Sequence, residues 1–191
     1  MEFVFATHNK HKTREIQSLM PSGIKLLTLD DIGCYDAIVE DADTIEGNAL
    51  LKATYIYEKY GCNVFADDTG LEVEALGGAP GVYSARYAGE PKSDIANINK
   101  LLAELENVEH RKARFKTVIA LIINGKKHSF EGIVNGNIVR LPRGTNGFGY
   151  DSVFCPEGFE TTFAEMTPEA KNNISHRAIA LEKLLTFVRT L

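Results

Sequence analysis

Several residue types that would place this chain outside the ordinary globular class are scarce. Only 3 of its 191 residues are cysteine (Cys34, Cys62 and Cys155), odd in number and far apart, with no Cys-x-x-Cys pair. That excludes a disulfide scaffold and a cysteine-ligated zinc or dithiol site, and fits a reducing cytoplasm. With 6 prolines and 16 glycines, the chain has neither collagen-like nor low-complexity composition. Basic residues are outnumbered, 21 Lys and Arg against 26 Asp and Glu, for a net charge of -5. No overall positive field gathers a polyanion, so no nucleic-acid partner is expected and any phosphate site must be local. The longest purely apolar run is the six residues Val118 to Ile123, far short of the roughly 20 needed to cross a bilayer. The opening MEFVFATHNK lacks a basic segment followed by an apolar one, so neither secretion nor a membrane partner is expected.

Hydrophobic residues make up 44% and charged residues 25%, enough apolar material to bury a core in one domain or two joined lobes. No repeat or linker interrupts the chain, so no boundary between independent domains can be placed. Phe3 to Ala6 and Lys25 to Leu29 read as strands flanking a helix with an apolar face of Ile16, Leu19 and Met20. Glu46 to Tyr60 is a stronger helix, stopped at Gly61. Asn63 to Ala66 reads as a buried strand, and Ile95, Ile98, Leu101, Leu102 and Leu105 mark a helix capped by Ser93 or Asp94. Ala113 to Ile123 and Lys127 to Val134, joined by Asn124-Gly125, have hairpin chemistry. A helical turn opens at Thr167-Pro168-Glu169, and Ala178 to Arg189 is a final amphipathic helix. These elements predict an α/β fold with a mixed central sheet.

Five segments carry candidate chemistry. Thr7-His8-Asn9-Lys10-His11-Lys12 lies between a strand end and a helix start, where unpaired backbone N–H groups and the helix dipole favour an anion, with Thr7, Asn9 and Lys12 adding contacts. The alternative is a helix cap with solvated lysines. His8 and His11 are spaced like metal ligands but lack Cys or carboxylate companions. In Ala66-Asp67-Asp68-Thr69-Gly70 an apolar strand ends in two carboxylates, hard oxygen ligands suited to Mg²⁺. Side chains alternate along a strand, so one of the pair faces the site and the other turns to backbone or solvent. A plain turn is the competing reading.

Ahead of the Lys52 helix stand Glu40, Asp41, Asp43 and Glu46; Asp43 and Glu46 complement the helix dipole. Glu40 precedes the helix by more and can swing in as a second metal ligand, while Lys52, two turns into the helix, can reach a phosphate. Gly144-Thr145-Asn146-Gly147-Phe148-Gly149-Tyr150-Asp151 sets an aromatic among glycines, which suits stacking on a base or a simple glycine turn. It is not the dinucleotide fingerprint, and no Walker-type phosphate loop exists. Lys171-Asn172-Asn173-Ile174-Ser175-His176-Arg177 stacks positive charge at a helix start, where the dipole disfavours it, a conflict that suggests a ligand, with Ser175 as a plain N-cap the competing reading for that residue.

In order and spacing, five blocks resemble the inosine triphosphate pyrophosphatase family, the dITP/XTP pyrophosphatases that remove non-standard purine nucleoside triphosphates: Thr-x-Asn-x-x-Lys from Thr7, Glu-Gly-Asn-Ala-Leu-Leu-Lys-Ala around Lys52, Ala-Asp-Asp-Thr-Gly-Leu, Pro-Gly-Val-Tyr-Ser-Ala-Arg-Tyr-Ala-Gly, and Phe-Gly-Tyr-Asp followed by Ser-His-Arg. The resemblance implies that residues 1–191 form a single α/β domain of two lobes around a nucleotide-binding groove, working as a homodimer. It implies that Thr7, His8, Asn9, Lys10, His11 and Lys12 hold the triphosphate, that Asp68 is proton acceptor and Mg²⁺ ligand, and that Thr69 touches substrate. Glu40 is the implied second metal ligand, with Asp41 adjacent. Phe148, Gly149, Tyr150, Asp151, Lys171, His176 and Arg177 are the implied base pocket. This chain carries His8 where the family opening has Gly, and Thr69 where Ser is common. Two rivals stay open: a Maf-like pyrophosphatase acting on other bases, and a nucleotide sensor without turnover.

Overall fold

Alternating side chains on three neighbouring strands explain the first half of the architecture. A computed structural model describes residues 1–191. Strand β1 (Glu2–Phe5) pairs in parallel with β2 (Lys25–Leu27) on one side and with β3 (Val64–Val73) on the other, Val4 opposite Val64 and Phe5 opposite Phe65. Phe3, Phe5 and Phe65 point to one face, where helices α1 (Lys10–Leu19) and α5 (His176–Val188) add Ile16, Leu181 and Leu184. Val4, Ala6, Val64 and Ala66 point to the other, under α2 (Ile45–Tyr60) with Ala49, Ala53 and Ile56. Period-two alternation thus assigns each helix its face.

The sheet has six strands in the order β2-β1-β3-β4-β5-β6, with β4 spanning Lys112–Ile123, β5 Lys126–Ile138 and β6 Phe154–Pro156. It is mixed, since β5 and β6 are antiparallel. The β4–β5 turn places Asn124 at φ 48° and Gly125 at φ 76°, the paired positive values that a two-residue hairpin turn requires and that Asn-Gly supplies with least strain. Helix α3 (Asp94–Glu104) is capped by Ser93, and the short α4 (Pro168–Asn172) by Thr167.

The chain divides into two compact units, one of Met1–Asp68, Thr117–Gly132 and Arg177–Leu191, the other of Thr69–Lys116 and Ile133–His176. The first holds both clusters just described. The second has its own core of Leu71, Val73, Leu101, Leu105, Phe115, Phe154 and Phe163.

The strand predicted to end at Ala66 continues to Val73, so Asp67 and Asp68 are neither at its carboxyl end nor in a turn. Leu71 and Val73 are fully buried in the second core; burying them keeps the strand going past two charges and Gly70, against local turn propensity. At the other edge, β2 stops at Leu27 rather than Leu29.

Candidate active site

Adjacent carboxylates on a strand face opposite ways, and here each meets a different set of helices. Asp67 shares the face of Phe65 and therefore meets α1 and α5. Lys12 Nζ donates to its Oδ1 at 3.1 Å and Arg177 Nε to its Oδ2 at 3.0 Å. Arg177 Nη1 also donates to Glu15 on α1. Asp68 shares the face of Ala66 and meets α2, with Lys52 Nζ 3.9 Å from its Oδ1. The same Nζ donates to Glu40 Oε1 at 2.8 Å, so Glu40 and Asp68 converge on one cation. Asp41 is exposed.

Burial sets the protonation balance. Asp67 and Arg177 are 0% and 1% exposed. Burial alone would raise the Asp67 pKa, but Lys12, Arg177 and Lys52 outweigh it and hold the carboxyl far below the usual range. Asp68 goes the other way: burial pushes it up, and Lys52 and Lys12 only partly offset that. Lys12 is lowered by burial and by the neighbouring Lys52 and Arg177, against the pull of Asp67. For Lys52 the burial penalty is exceeded by Asp68, Glu40 and Asp67, which raise it. Asp67 is thus a locked counter-ion and Asp68 a carboxylate displaced toward accepting a proton, an environment-driven division of labour between two acids.

Around the Thr7–Lys12 segment three backbone donors are engaged within the chain. Asn9 is the N-cap of α1, its Oδ1 accepting from the His11 and Lys12 N–H groups at 2.9 and 3.2 Å, and Thr7 Oγ1 accepts from Asn9 N–H. These donors, expected to be unpaired, are satisfied internally because Asn is a strong capping residue. His8, Lys10 and His11 are exposed, and the His8 ring is bonded to the backbone of Asp36.

In the second unit, Asp151 and Lys171 form a buried ion pair at 2.6 Å. Asp151 Oδ2 also accepts from Phe148 N–H at 3.0 Å, and Lys171 Nζ lies 5.0 Å from the centre of the half-buried Phe148 ring. Gly147, at φ +77°, leaves no room for a side chain unless Asp151 moves, since a Cβ would sit 2.1 Å from Asp151 Oδ2. Gly149 N–H donates to Asp94 at 2.7 Å. Tyr150 is a core residue whose hydroxyl donates to the Ser84 carbonyl at 2.7 Å, and the buried His176 ring stacks on Phe115. Thr69 is half-buried beside Asp68 on β3. Arg177, grouped with the base pocket by resemblance, has Nε and Nη1 on Asp67 and Glu15.

Two members of the site escaped sequence reading. Asp67 was expected to turn to backbone or solvent, yet it is the most deeply buried acid because both helices on its face present a cation. The Lys12-to-Glu15 spacing, one helical turn, was the available signal for Glu15.

An α/β fold in which two lysines, an arginine and adjacent carboxylates gather about one strand is the class of site that can handle phosphate groups. The chain belongs to the Ham1 family, which it matches over residues 3–187. It is 57% identical over 189 residues to the dITP/XTP pyrophosphatase of Flavobacterium psychrophilum, covering 99% of this chain and 100% of that one. The Porphyromonas gingivalis dITP/XTP pyrophosphatase is 55% identical, over 98% and 97% of the two chains. Among solved structures, a HAM1 protein from Coxiella burnetii superposes with a TM-score of 0.91 at 39% identity, covering 100% of each chain. The Staphylococcus aureus Ham1 protein gives 0.90, also at 39%, over 100% and 99%.

Proposed function

We propose that this protein is a nucleoside-triphosphate pyrophosphatase that hydrolyses dITP, ITP and XTP to the monophosphate and pyrophosphate, clearing deaminated purines from the nucleotide pool. The observation that carries the reading is the set of half-buried Lys12 and buried Lys52, Asp67 and Asp68, in which Asp67 is paired with Lys12 and Arg177 while Asp68 and Glu40 converge on Lys52. A triphosphate brings about four negative charges, which Lys12 and Lys52 meet directly. Asp68 takes the proton from a water attacking the α-phosphorus, and the two lysines stabilise the departing pyrophosphate. No three-ligand cage of His, Cys, Asp or Glu is present. Glu40 and Asp68 nonetheless offer two hard oxygen donors already sharing one ammonium, and Mg²⁺ ordinarily completes its shell with phosphate oxygens and water. A divalent cation, Mg²⁺ in our assignment, would be held by these two carboxylates and supply charge neutralisation on the phosphates.

Base selection we assign to the second unit. Phe148, steadied by Lys171 and by Asp151, offers the stacking ring, and His176 donates to the 6-oxo group shared by hypoxanthine and xanthine. Adenine presents an amino donor there and leaves the histidine unpaired, a loss of about 1–3 kcal/mol. Guanine keeps the 6-oxo group and must be excluded at its 2-amino group. We also propose a homodimer in the cytoplasm; no helix is long and apolar enough to cross a membrane.

Incubation with dITP, XTP, dATP and dGTP, with and without Mg²⁺, tests the reading. Pyrophosphate is expected from dITP and XTP alone and is lost with EDTA. Orthophosphate would mean a phosphatase, a different base preference the Maf-like reading, and no turnover a sensor. Phe148→Ala should raise KM for dITP about tenfold, the size of one lost base–aromatic stack; an unchanged KM would remove the ring from the base site.

A further inference from the structure

Glu40 sits in a segment without regular structure between Gly33 and the start of α2, so something other than a helix or strand must fix it. Lys52 holds its carboxylate at 2.8 Å, and in the backbone around it the fixed points are few. Cys34 is buried, its N–H donating to the Leu29 carbonyl at 2.9 Å, and Ala42 N–H donates to Asn48 Oδ1 at 3.0 Å. Between them stands Asp36. Its Oδ2 accepts from Tyr55 hydroxyl at 2.6 Å and from Lys59, both on α2. Its backbone carbonyl accepts from His8 Nε2 at 2.8 Å. A carbonyl only accepts, so the hydrogen of that bond is on Nε2.

His8 belongs to the loop that leads into Lys12, and Asp36 to the segment that carries Glu40. We propose that the His8–Asp36 bond, with Asp36 gripped by Tyr55 and Lys59, is a clasp that positions Glu40 for a divalent cation, making His8 and Asp36 positioning residues for metal affinity. The proposal rests on the reading of Glu40 and Asp68 as the metal-holding pair. Each contact is exposed and individually weak. They act, however, on a stretch with no backbone ladder of its own, where a small energy decides how often the carboxylate is in place. The imidazole of His8 supplies the donor that joins the two segments.

Titration of the full chain with Mn²⁺ alone, reading free Mn²⁺ by electron paramagnetic resonance, tests the clasp without turnover. Glu40→Gln should weaken binding at least about tenfold, Asp36→Ala about fivefold and His8→Ala about threefold. His8→Gln, whose amide nitrogen occupies the place of Nε2, should restore the wild-type value. If Glu40→Gln weakens binding while His8→Ala and Asp36→Ala match wild type, the clasp is overturned and the functional reading stands. If Glu40→Gln also matches wild type, or the wild-type chain takes up no Mn²⁺ below millimolar concentration, the reading of Glu40 falls and the clasp with it. A His8→Gln protein that binds as weakly as His8→Ala overturns the assigned hydrogen bond. Should Asp36→Ala not fold, Tyr55→Phe with Lys59→Met removes the same contacts. A lowered melting temperature with unchanged Mn²⁺ affinity would make the contacts merely structural.

Discussion

Asp68→Asn is expected to lower kcat for dITP about a thousandfold, within the range found when a positioned general base is removed. The amide keeps the volume and the β3 register, so nothing in the packing under α2 changes. What disappears is the charge that takes the proton. Its effect on stability runs the opposite way. Burial raises the Asp68 pKa in the folded chain, so the ionised carboxylate is a charge that the fold disfavours, held in place by Lys52 and Lys12. Removing it should leave the melting temperature equal to or above wild type, as happens where a site is kept strained for its chemistry. A pyrophosphate-release assay and a thermal melt on the same sample separate the outcomes. Inactivity with an unchanged or raised melting point supports a catalytic acid–base role. Inactivity with a lowered melting point would make Asp68 a structural partner of Lys52, and retained activity would move the proton acceptor elsewhere.

How far this site could be read in the sequence depended on whether the determining contacts were local. Helix α2 was legible because Ala49, Ala53 and Ile56 recur at helical spacing and Gly61, at φ 63°, ends it. The β4–β5 hairpin was legible because Asn124-Gly125 has little other use. The extension of β3 through Asp67 and Asp68 was not, since its cause is the burial of Leu71 and Val73 in a core built from distant residues. Likewise, the parity of the strand predicts that Asp67 and Asp68 part company, but not that α1 and α5 both place a cation on the Asp67 side. Lys12 and Arg177 stand at opposite ends of the chain, and only the fold shows that they share one carboxylate. Asn9 is the reverse case: its capping preference was written locally, and its Oδ1 serves the start of α1.

Arg177→Leu should cost about 3–5 kcal/mol of stability, because it leaves Asp67 buried without its second cation and Glu15 without its partner. For a chain of this length that corresponds to a fall in melting temperature of roughly 6–20 °C. The leucine fills much of the same space, so the loss comes from the orphaned charge rather than from a cavity. Asp67→Asn in the same background is therefore diagnostic. Taking away the carboxylate as well removes the unpaired charge, and the double variant should be more stable than the sum of the two single changes. This outcome separates two roles for the arginine. A guanidinium that mainly reads the purine edge would, when lost, raise KM for dITP while the melting temperature stayed near wild type, and the cycle with Asp67 would be additive. A guanidinium that locks Asp67, and through it Lys12, gives a large coupling and a loss of folding stability that inosine nucleotides do not need to be present to reveal.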